Sequence, residues 1–329
     1  MSATAGTGLI AGRQPRRHGK RSSLRTWRWV DRLVFLGAWA AGLGLCLIAA
    51  GIVVYLAVRG IQYLKPSMLV SRPQAATSQA GSGGFLDPIE GTALLTAIGV
   101  LLALPLSIAT AVWIVEYGRP SWLARVVESS IEIVAGTPDI LIAVFGLALF
   151  QLHLMAPFSA TGEGGGVVGR SFIAAGAMMS LIALPPIFTA TRDGLQAVPR
   201  HMREAAFALG KTRIATIRRV LIPRVRANIA TGVTLGVSRI IGDTAIVLLV
   251  LGGTLHIETQ SSTPVLGLLR GTGSTLTSYV FDNSPAGEGE APQKAYAAAF
   301  VLLILILLLN AVVNRIGKGN AHTITGAYV

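Results

Sequence analysis

Charged and hydroxyl side chains interrupt one of the most apolar stretches of this sequence. Ser238, Arg239, Asp243 and Thr244 lie within residues 225–251, most of which are apolar. On insertion scales, an arginine or aspartate near the centre of a bilayer costs roughly 2.5–3.5 kcal/mol, so such a residue is a functional candidate. The planar guanidinium of Arg239 can donate two parallel hydrogen bonds to a tetrahedral oxyanion. The cluster therefore predicts an anion-binding group inside a membrane.

Arg239 and Asp243 can be interpreted in two ways. They are four residues apart, which places them on one face of a helix, where they can form an ion pair. In the first interpretation the pair is structural and neutralises itself inside a helix bundle. In the second, Arg239 is part of an anion path, and Asp243 holds or restrains its guanidinium until a substrate arrives. The residues alone leave both interpretations open.

A basic segment before this stretch predicts two short helices joined by a turn; we call residues 199–224 the bracket. Pro199 can begin a helix because its missing N–H is not needed there. Gly210 can adopt the left-handed conformation that ends this helix. Thr212 can cap a second helix, which Pro223 interrupts or restarts. The pattern predicts a helix–turn–helix on a membrane surface, and an ordinary amphipathic loop is the alternative.

The composition predicts a membrane protein of the all-α class. The chain has 329 residues, of which 52% are hydrophobic and only 13% charged, and its mean hydropathy is +0.62. A soluble chain of this length would need more charge to cover its surface. Lipid tolerates only helices or closed barrels, and the apolar runs show no strand-like alternation. The six predicted spans are Leu33–Val58, Thr92–Val115, Ile140–Leu154, Ser171–Thr189, Val225–Leu251 and Ala295–Val313.

The positive charges predict how these spans are oriented. Of the 28 Lys and Arg residues, eight precede residue 33, nine lie in 191–226, two follow Gly118 and two follow the last span, whereas six lie on the opposite side. By the positive-inside rule, both termini and the bracket are predicted to be cytoplasmic. The net charge of +13 is therefore a topology signal. A nucleic-acid partner is not predicted, because the basic stretches flank spans and lack interleaved aromatic residues.

The sequence predicts no enzyme active site, no cofactor and no metal site. Gly210-Lys211-Thr212 resembles the end of a nucleotide-binding loop, but Ala205 replaces the first glycine of that pattern and the segment follows a helix instead of a strand. The five histidines lack ligand spacing, and a lone Cys46 cannot form an intrachain disulfide. An intramembrane enzyme would need a second acid or a Ser–His pair at matched depth.

Two further positions carry expectations about local structure. Small residues and proline at 135–138 predict a helix break after a short interfacial helix. Asp139 follows this break, where a carboxylate favours the dipole of the next helix. Glu116 precedes Tyr117 at the end of the second predicted span, and we expect it to be an interfacial charge.

The bracket carries the spacing of a known motif. The residues that match are Glu204, Ala205, Ala206, Gly210 and Pro223. Their spacing resembles the EAA motif of ABC-transporter permease subunits, E-A-A-x-x-x-G-x9-I-x-L-P, with Val220 and Ile222 in place of its isoleucine and leucine. In that family the bracket is a coupling helix that docks in a groove on a cytoplasmic ATPase. The resemblance implies the six-helix bundle of MetI-like ABC importer permeases.

The cluster at 238–244 is similar to the R-x-x-G-E-T pattern of phosphate-specific permeases, with Asp243 replacing the glutamate and without the usual proline after Thr244. Together the two motifs resemble the PstA family of phosphate permease subunits. That resemblance implies import of inorganic phosphate through a bacterial inner (plasma) membrane and its lipid. The implied partners are two copies of an ABC ATPase subunit, a second, PstC-like permease subunit and an external phosphate-binding protein. A permease for sulfate or molybdate, or a non-transporting membrane scaffold, is the alternative.

The predicted organisation places one permease domain after a separate first helix. The predicted parts are a basic cytoplasmic tail at 1–32, a first transmembrane helix at 33–58, an external loop at 59–91, the permease transmembrane domain at 92–315 with a coupling loop at about 190–224, and a cytoplasmic tail at 316–329.

Overall fold

The chain is described from a computed structural model. The described residues are 29–74, 83–118, 121–162, 165–254, 256–259, 264–284 and 292–318. The predicted tail 1–32 lies almost entirely outside them, as do most of the predicted tail 316–329 and residues 75–82 of the predicted external loop. The chain divides into two units, Met1–Tyr55 and Leu56–Val329. The described part of the first unit is one continuous helical stretch that begins at Trp29.

The described residues are mostly helical, which confirms the predicted all-α class. The α-helices are α1 Trp29–Tyr63, α2 Ser67–Val70, α3 Leu86–Val112, α4 Trp122–Gly136, α5 Asp139–Phe150, α6 Phe172–Ala197, α7 Arg200–Ala208, α8 Arg213–Thr216, α9 Ile222–Arg224, α10 Arg226–Gly242, α11 Pro264–Arg270, α12 Leu276–Asn283 and α13 Pro292–Lys318. Wider π-helical turns occur at Trp113–Tyr117, Ile217–Leu221 and Val247–Leu251, and a 3₁₀ helix occurs at His153–Phe158.

Several of these helices are long and apolar enough to cross a membrane. Among the described residues, four meet that requirement by length and composition: α1, α3 with its π-helical end, α6 and α13. The pair α4–α5 makes a fifth if it is counted as one span, and it bends by 106° at the predicted break at 135–138. The predicted helix before residue 135 and the break after it are therefore confirmed, while the interfacial position of that helix stays a prediction.

The fifth predicted span, Val225–Leu251, is not one continuous helix, and this corrects the prediction. α10 ends at Gly242, Asp243 has an extended backbone with ψ of 134°, and helical structure resumes only at residue 245. At 17 residues, α10 is about 25 Å long, shorter than the roughly 30 Å hydrocarbon core. The prediction missed the break because no proline stands within residues 225–251.

α6 is the central helix of the larger unit. It packs against α3, α5 and α10, and its Met179 and Ile187 side chains are fully buried. It continues through two prolines to Ala197, eight residues beyond the predicted end. Next to these prolines α6 is in contact with α3, where Ser107 of α3 donates to the Leu184 carbonyl at 3.2 Å. With 26 residues, α6 is about 39 Å long and separates the turn at Gly165 from the bracket.

A glycine allows α10 to approach α6 closely. A Cβ atom on Gly232 would lie 2.9 Å from the Ile187 Cα and 3.0 Å from the Pro186 carbonyl oxygen. Both contacts are with backbone, which cannot move aside as a flexible side chain can. The position of α10 on α6 therefore depends on the absence of a side chain at residue 232.

The predicted external segments contain structure that the sequence did not indicate. The loop predicted at 59–91 includes the end of α1, α2 and the first turn of α3. α12, which lies between α11 and α13 in the chain, packs against α3, and the Leu276 N–H at its start donates to Thr92 Oγ1 at 2.9 Å. The fully buried Asp87 contacts His256 at 3.0 Å. Both contacts lie at the end of α3 that is remote from the bracket.

Candidate functional site

The break after α10 places Arg239 beside an acidic residue from another helix. Arg239 lies in the last turn of α10, and its Nη2 donates to Asp139 Oδ1 at 3.2 Å. Asp139 is the first residue of α5, immediately after the break between α4 and α5. The two side chains are 36% and 33% exposed. The ion pair therefore joins two helix breaks and remains partly open on one side of the described bundle.

Asp243 does not pair with Arg239, which corrects the expectation of an i, i+4 ion pair. Its Oδ2 accepts a hydrogen bond from the Ile246 N–H at 2.8 Å, and its carbonyl accepts from the Thr277 hydroxyl at 3.3 Å. The i, i+4 geometry needs a continuous helix, and the extended backbone at Asp243 ends that helix. Asp243 instead caps the helical turns that follow, as a carboxylate does at a helix N-terminus.

The two hydroxyl residues of the predicted cluster occupy different surroundings. Ser238 Oγ accepts a hydrogen bond from Asn310 Nδ2 of α13 at 3.1 Å, so this hydroxyl contacts a neighbouring helix. Thr244 lies in the break itself, and its carbonyl accepts the Leu248 N–H at 3.0 Å. The structure thus brings Asp139 to Arg239, whereas the Ser238 hydroxyl contacts α13.

The bracket has the predicted helix–turn–helix geometry. α7 follows Pro199, and Gly210 ends the turn with φ of +73°. The Thr212 side chain accepts from the Ala215 N–H at 3.3 Å and caps α8, as predicted. Pro223 lies within α9, and the helical run continues through it from the preceding π-helical turn and is interrupted only at Val225. The predicted turn at Gly210 and the predicted cap at Thr212 are therefore confirmed.

The two faces of α7 differ in character. Glu204 and Ala205 are exposed, whereas Ala206 is only 5% exposed. Large apolar side chains are also exposed on the bracket, with Phe207 at 44%, Leu209 at 79% and Ile214 at 72%. A patch of exposed apolar side chains beside basic residues is typical of a surface that another protein covers. The motif residues Glu204 and Ala205 belong to this exposed face.

Sequence reasoning missed the contacts of Glu116, which is more than an interfacial charge. Its carboxylate Oε1 lies 3.0 Å from Arg203 Nη2 and 3.1 Å from Arg203 Nε, and its side chain is 9% exposed. The two residues are 87 positions apart in the chain. The sequence showed only an acidic–aromatic pair at 116–117. The contact of Glu116 with Arg203 is produced by the fold and has no local sequence pattern.

Metal-binding side chains are not gathered in the part of the chain described. Within those residues there is no group of three or more His, Cys, Asp or Glu that could hold a metal ion. The polar side chains described at the two helix breaks carry guanidinium, carboxylate and hydroxyl groups.

Broken apolar helices with a charged pair at the breaks and a basic bracket at one end describe the membrane subunit of a transporter. A family model described as "Binding-protein-dependent transport system inner membrane component" matches residues 93–321, more than half of the chain. The chain belongs to this family. It is therefore a membrane-embedded ABC importer permease and not the catalytic subunit, and its family works with an ATPase and a substrate-binding protein.

Several curated proteins are similar in sequence. The probable ABC transporter permease protein YqgH of Bacillus subtilis is 32% identical over 218 residues, 64% of this chain and 68% of that protein. Phosphate transport system permease protein PstA 1 of Mycobacterium tuberculosis is 29% identical over 229 residues, 70% and 69% of the two chains. Phosphate transport system permease protein PstC of Xylella fastidiosa is 28% identical over 239 residues, 69% of each chain. The recognition of phosphate ABC permeases as relatives is thus confirmed.

A solved structure has the same fold. It is a chain of a bacterial alginate ABC transporter in complex with an alginate pentasaccharide-bound periplasmic protein. The match has a TM-score of 0.59 at 17% identity and covers 89% of this chain and 97% of the other. The predicted MetI-like permease bundle is therefore confirmed as the fold class.

Proposed function

We propose that this chain is a permease subunit of an ATP-driven importer of inorganic phosphate and forms half of its translocation path. The observation that carries the proposal is Arg239, whose partly exposed guanidinium lies where α10 and the α4–α5 pair are both broken. Irregular backbone at membrane depth is tolerated where it lines a cavity or is buried in protein. Two relatives named as phosphate transport permeases support phosphate as the substrate.

Arg239 has the chemistry that this role requires. A guanidinium carries five N–H donors and stays charged at any physiological pH. The contact with Asp139 engages Nη2, so other donors can bind the oxygens of a tetrahedral oxyanion. An arriving anion would compete with the Asp139 carboxylate for Arg239. In this proposal Thr244 and Asp243 shape the break around the path, and Ser238 supports α10 from the side of α13.

The bracket is proposed to dock an ATPase subunit through its exposed face. Glu204 and Ala205 belong to the EAA motif, and they lie beside the exposed Phe207 and Leu209. Ala206 faces inward and Gly210 forms the turn, so these two motif residues fix the shape of the bracket. Pro223 is proposed to shape the helical run that leads into α10.

The assembly proposed for the chain has four kinds of partner. They are two copies of the ABC ATPase subunit, a second, PstC-like permease, an external phosphate-binding protein and the lipid of a bacterial inner membrane. The bracket and both termini are proposed to be cytoplasmic, because most Lys and Arg residues lie at that end. The proposed organisation keeps the five predicted parts of the chain, which are 1–32, 33–58, 59–91, 92–315 and 316–329.

Uptake of radiolabelled phosphate by a bacterial strain that lacks this chain tests the substrate. Reintroducing the chain should restore uptake, and excess unlabelled sulfate or molybdate should not compete. Arg239→Gln should lower uptake by about tenfold or more, which corresponds to an increase of roughly 1.4 kcal/mol in the activation free energy, while the complex still assembles. Arg125→Gln is the control, since Arg125 is exposed in the first turn of α4, at the end of that helix opposite to the break. Normal uptake by the Arg239→Gln variant, or competition by sulfate, would overturn the proposal.

A further inference from the structure

We propose that the turn formed by Glu116 and Tyr117 is the point at which movement of the bracket enters the helix bundle, and that Glu116 is a positioning residue for ATP-driven transport. This inference rests on the proposed docking of an ATPase on the bracket. It concerns the opposite face of α7, which no ATPase would contact directly.

Arg203 ties the first helix of the bracket to two other helices. Its Nε donates to Glu116 Oε1 at 3.1 Å, and its Nη2 forms an ion pair with the same oxygen at 3.0 Å. Nη1 donates to the Val198 carbonyl at 2.7 Å and Nη2 to the Leu195 carbonyl at 2.8 Å. Leu195 lies in the last turn of α6, and Val198 follows it. The Arg203 side chain is only 17% exposed. One guanidinium therefore connects α7 to the ends of α6 and α3.

The second helix of the bracket reaches the same turn. Arg213, the first residue of α8, donates from Nη1 to the Glu116 carbonyl at 3.4 Å. Its guanidinium carbon lies 5.0 Å from the centre of the Tyr117 ring, within the range of a cation–π interaction. Both halves of the bracket thus contact two adjacent residues at the end of α3.

Neighbouring residues of α7 face in opposite directions. Glu204 is exposed on the face proposed to dock an ATPase, whereas Arg203 points into the structure and contacts Glu116. A displacement of the docking face must therefore act on Arg203. Charge-assisted hydrogen bonds are short and directional, and a partly buried pair is weakly screened, so this contact can transmit a displacement.

The receiving element connects directly to the proposed anion path. Glu116 and Tyr117 form the end of a π-helical turn that continues α3, and such turns occur frequently at functional sites. α3 packs along α6 and also contacts α10, which carries Arg239. A Cβ on Gly99 of α3 would lie 2.9 Å from Ile240 Cδ1. A shift of α3 would therefore displace Ile240, the residue next to Arg239.

The inference is tested with the whole transporter, reconstituted in proteoliposomes with its ATPase and its phosphate-binding protein. With Glu116→Ala, the ATPase should co-purify as before, and phosphate uptake per ATP hydrolysed should fall roughly 5- to 10-fold, at the lower end of allosteric couplings. Glu116→Gln, which keeps the shape and one acceptor oxygen, should lose less. Glu128→Gln is the matched control: it removes a carboxylate that pairs with Arg192 at 3.5 Å, outside the bracket.

A cross-link separates positioning from folding. In a Cys46→Ser background, Glu116→Cys with Arg203→Cys should lose coupled uptake and regain it when a bifunctional methanethiosulfonate joins the two sulfurs. A monofunctional reagent should not restore it. Normal uptake per ATP with Glu116→Ala, or no recovery after cross-linking, would overturn the inference and leave ATPase docking intact. If the ATPase does not bind the unmodified chain, the proposed function and this inference both fail.

Discussion

Arg239 pairs with a carboxylate one hundred positions away and not with Asp243, its close neighbour in sequence. The difference arises because α10 ends at Gly242 and Asp243 turns its carboxylate to the Ile246 N–H. An ion pair that is about one-third exposed contributes only about 0–1 kcal/mol to stability. Stability alone is thus a weak reason for two charges at this depth, which favours a role in transport.

The two members of this ion pair should respond differently to neutralisation. Arg239→Gln removes the group proposed to bind phosphate, so uptake should be lost. Asp139→Asn removes only the competing carboxylate and leaves the guanidinium, so uptake should be retained or increased. Thermal unfolding in detergent should show that each variant changes stability by less than about 1 kcal/mol. Equal losses of uptake in both variants would indicate a structural pair and contradict the proposal.

Single residues were predictable from the sequence only where their partners were close in the chain. Thr212 as a cap and Gly210 as a left-handed turn depend on residues within four positions, and both were correct. Asp139 was expected only to favour a helix dipole, and Glu116 only to lie at an interface. Their partners Arg239 and Arg203 are brought to them by helix packing, which no local pattern encodes.

At the scale of elements, the sequence predicted the apolar helices well but only one of the two helix breaks. The break before Asp139 was predicted because small residues and proline stand together at 135–138. The break after Gly242 has no proline, and the polar residues beside it were interpreted as functional groups on a continuous helix and not as a break. α12 was also missed, since it is short and depends on packing against α3 and α13.

The turn at Gly210 offers a test of the bracket as an element. Gly210 has φ of +73°, and a Cβ atom there would meet nothing within 4 Å, so a side chain affects only the backbone conformation. That conformation costs an L-residue about 1–2 kcal/mol, with asparagine tolerated better than alanine. Binding of the ATPase should decline in the order Gly210, Gly210→Asn, Gly210→Ala, Gly210→Val.

A pull-down of the ATPase by each purified variant measures this order. Gly42→Ala is the matched control, because Gly42 is a helical residue of α1 that also has open space around its Cβ position. It should bind the ATPase as the unmodified chain does. If the Gly210→Val variant binds equally well, the shape of this turn is not what the ATPase recognises.

At the scale of the whole molecule, α6 fixes the relation between the two ends of the larger unit. The turn at Gly165 and Gly166 precedes α6, and the bracket follows it. Since α6 is about 39 Å long, these two segments must lie on opposite sides of any bilayer that α6 crosses. The charge distribution is the reason for proposing that the bracket is cytoplasmic, because nine Lys and Arg residues lie at 191–226.

Cysteine labelling can test this orientation directly, because the sequence contains a single cysteine. In a Cys46→Ser background, Gly166→Cys and Arg200→Cys place one thiol at each end of α6, and both positions are exposed. A membrane-impermeant maleimide should label Gly166→Cys from outside intact spheroplasts and Arg200→Cys only after the membrane is disrupted. The reverse pattern would place the bracket outside, where no ATPase could reach it. Labelling of both positions from one side would mean that α6 does not cross the membrane, and the proposed path through the bundle would fail with it.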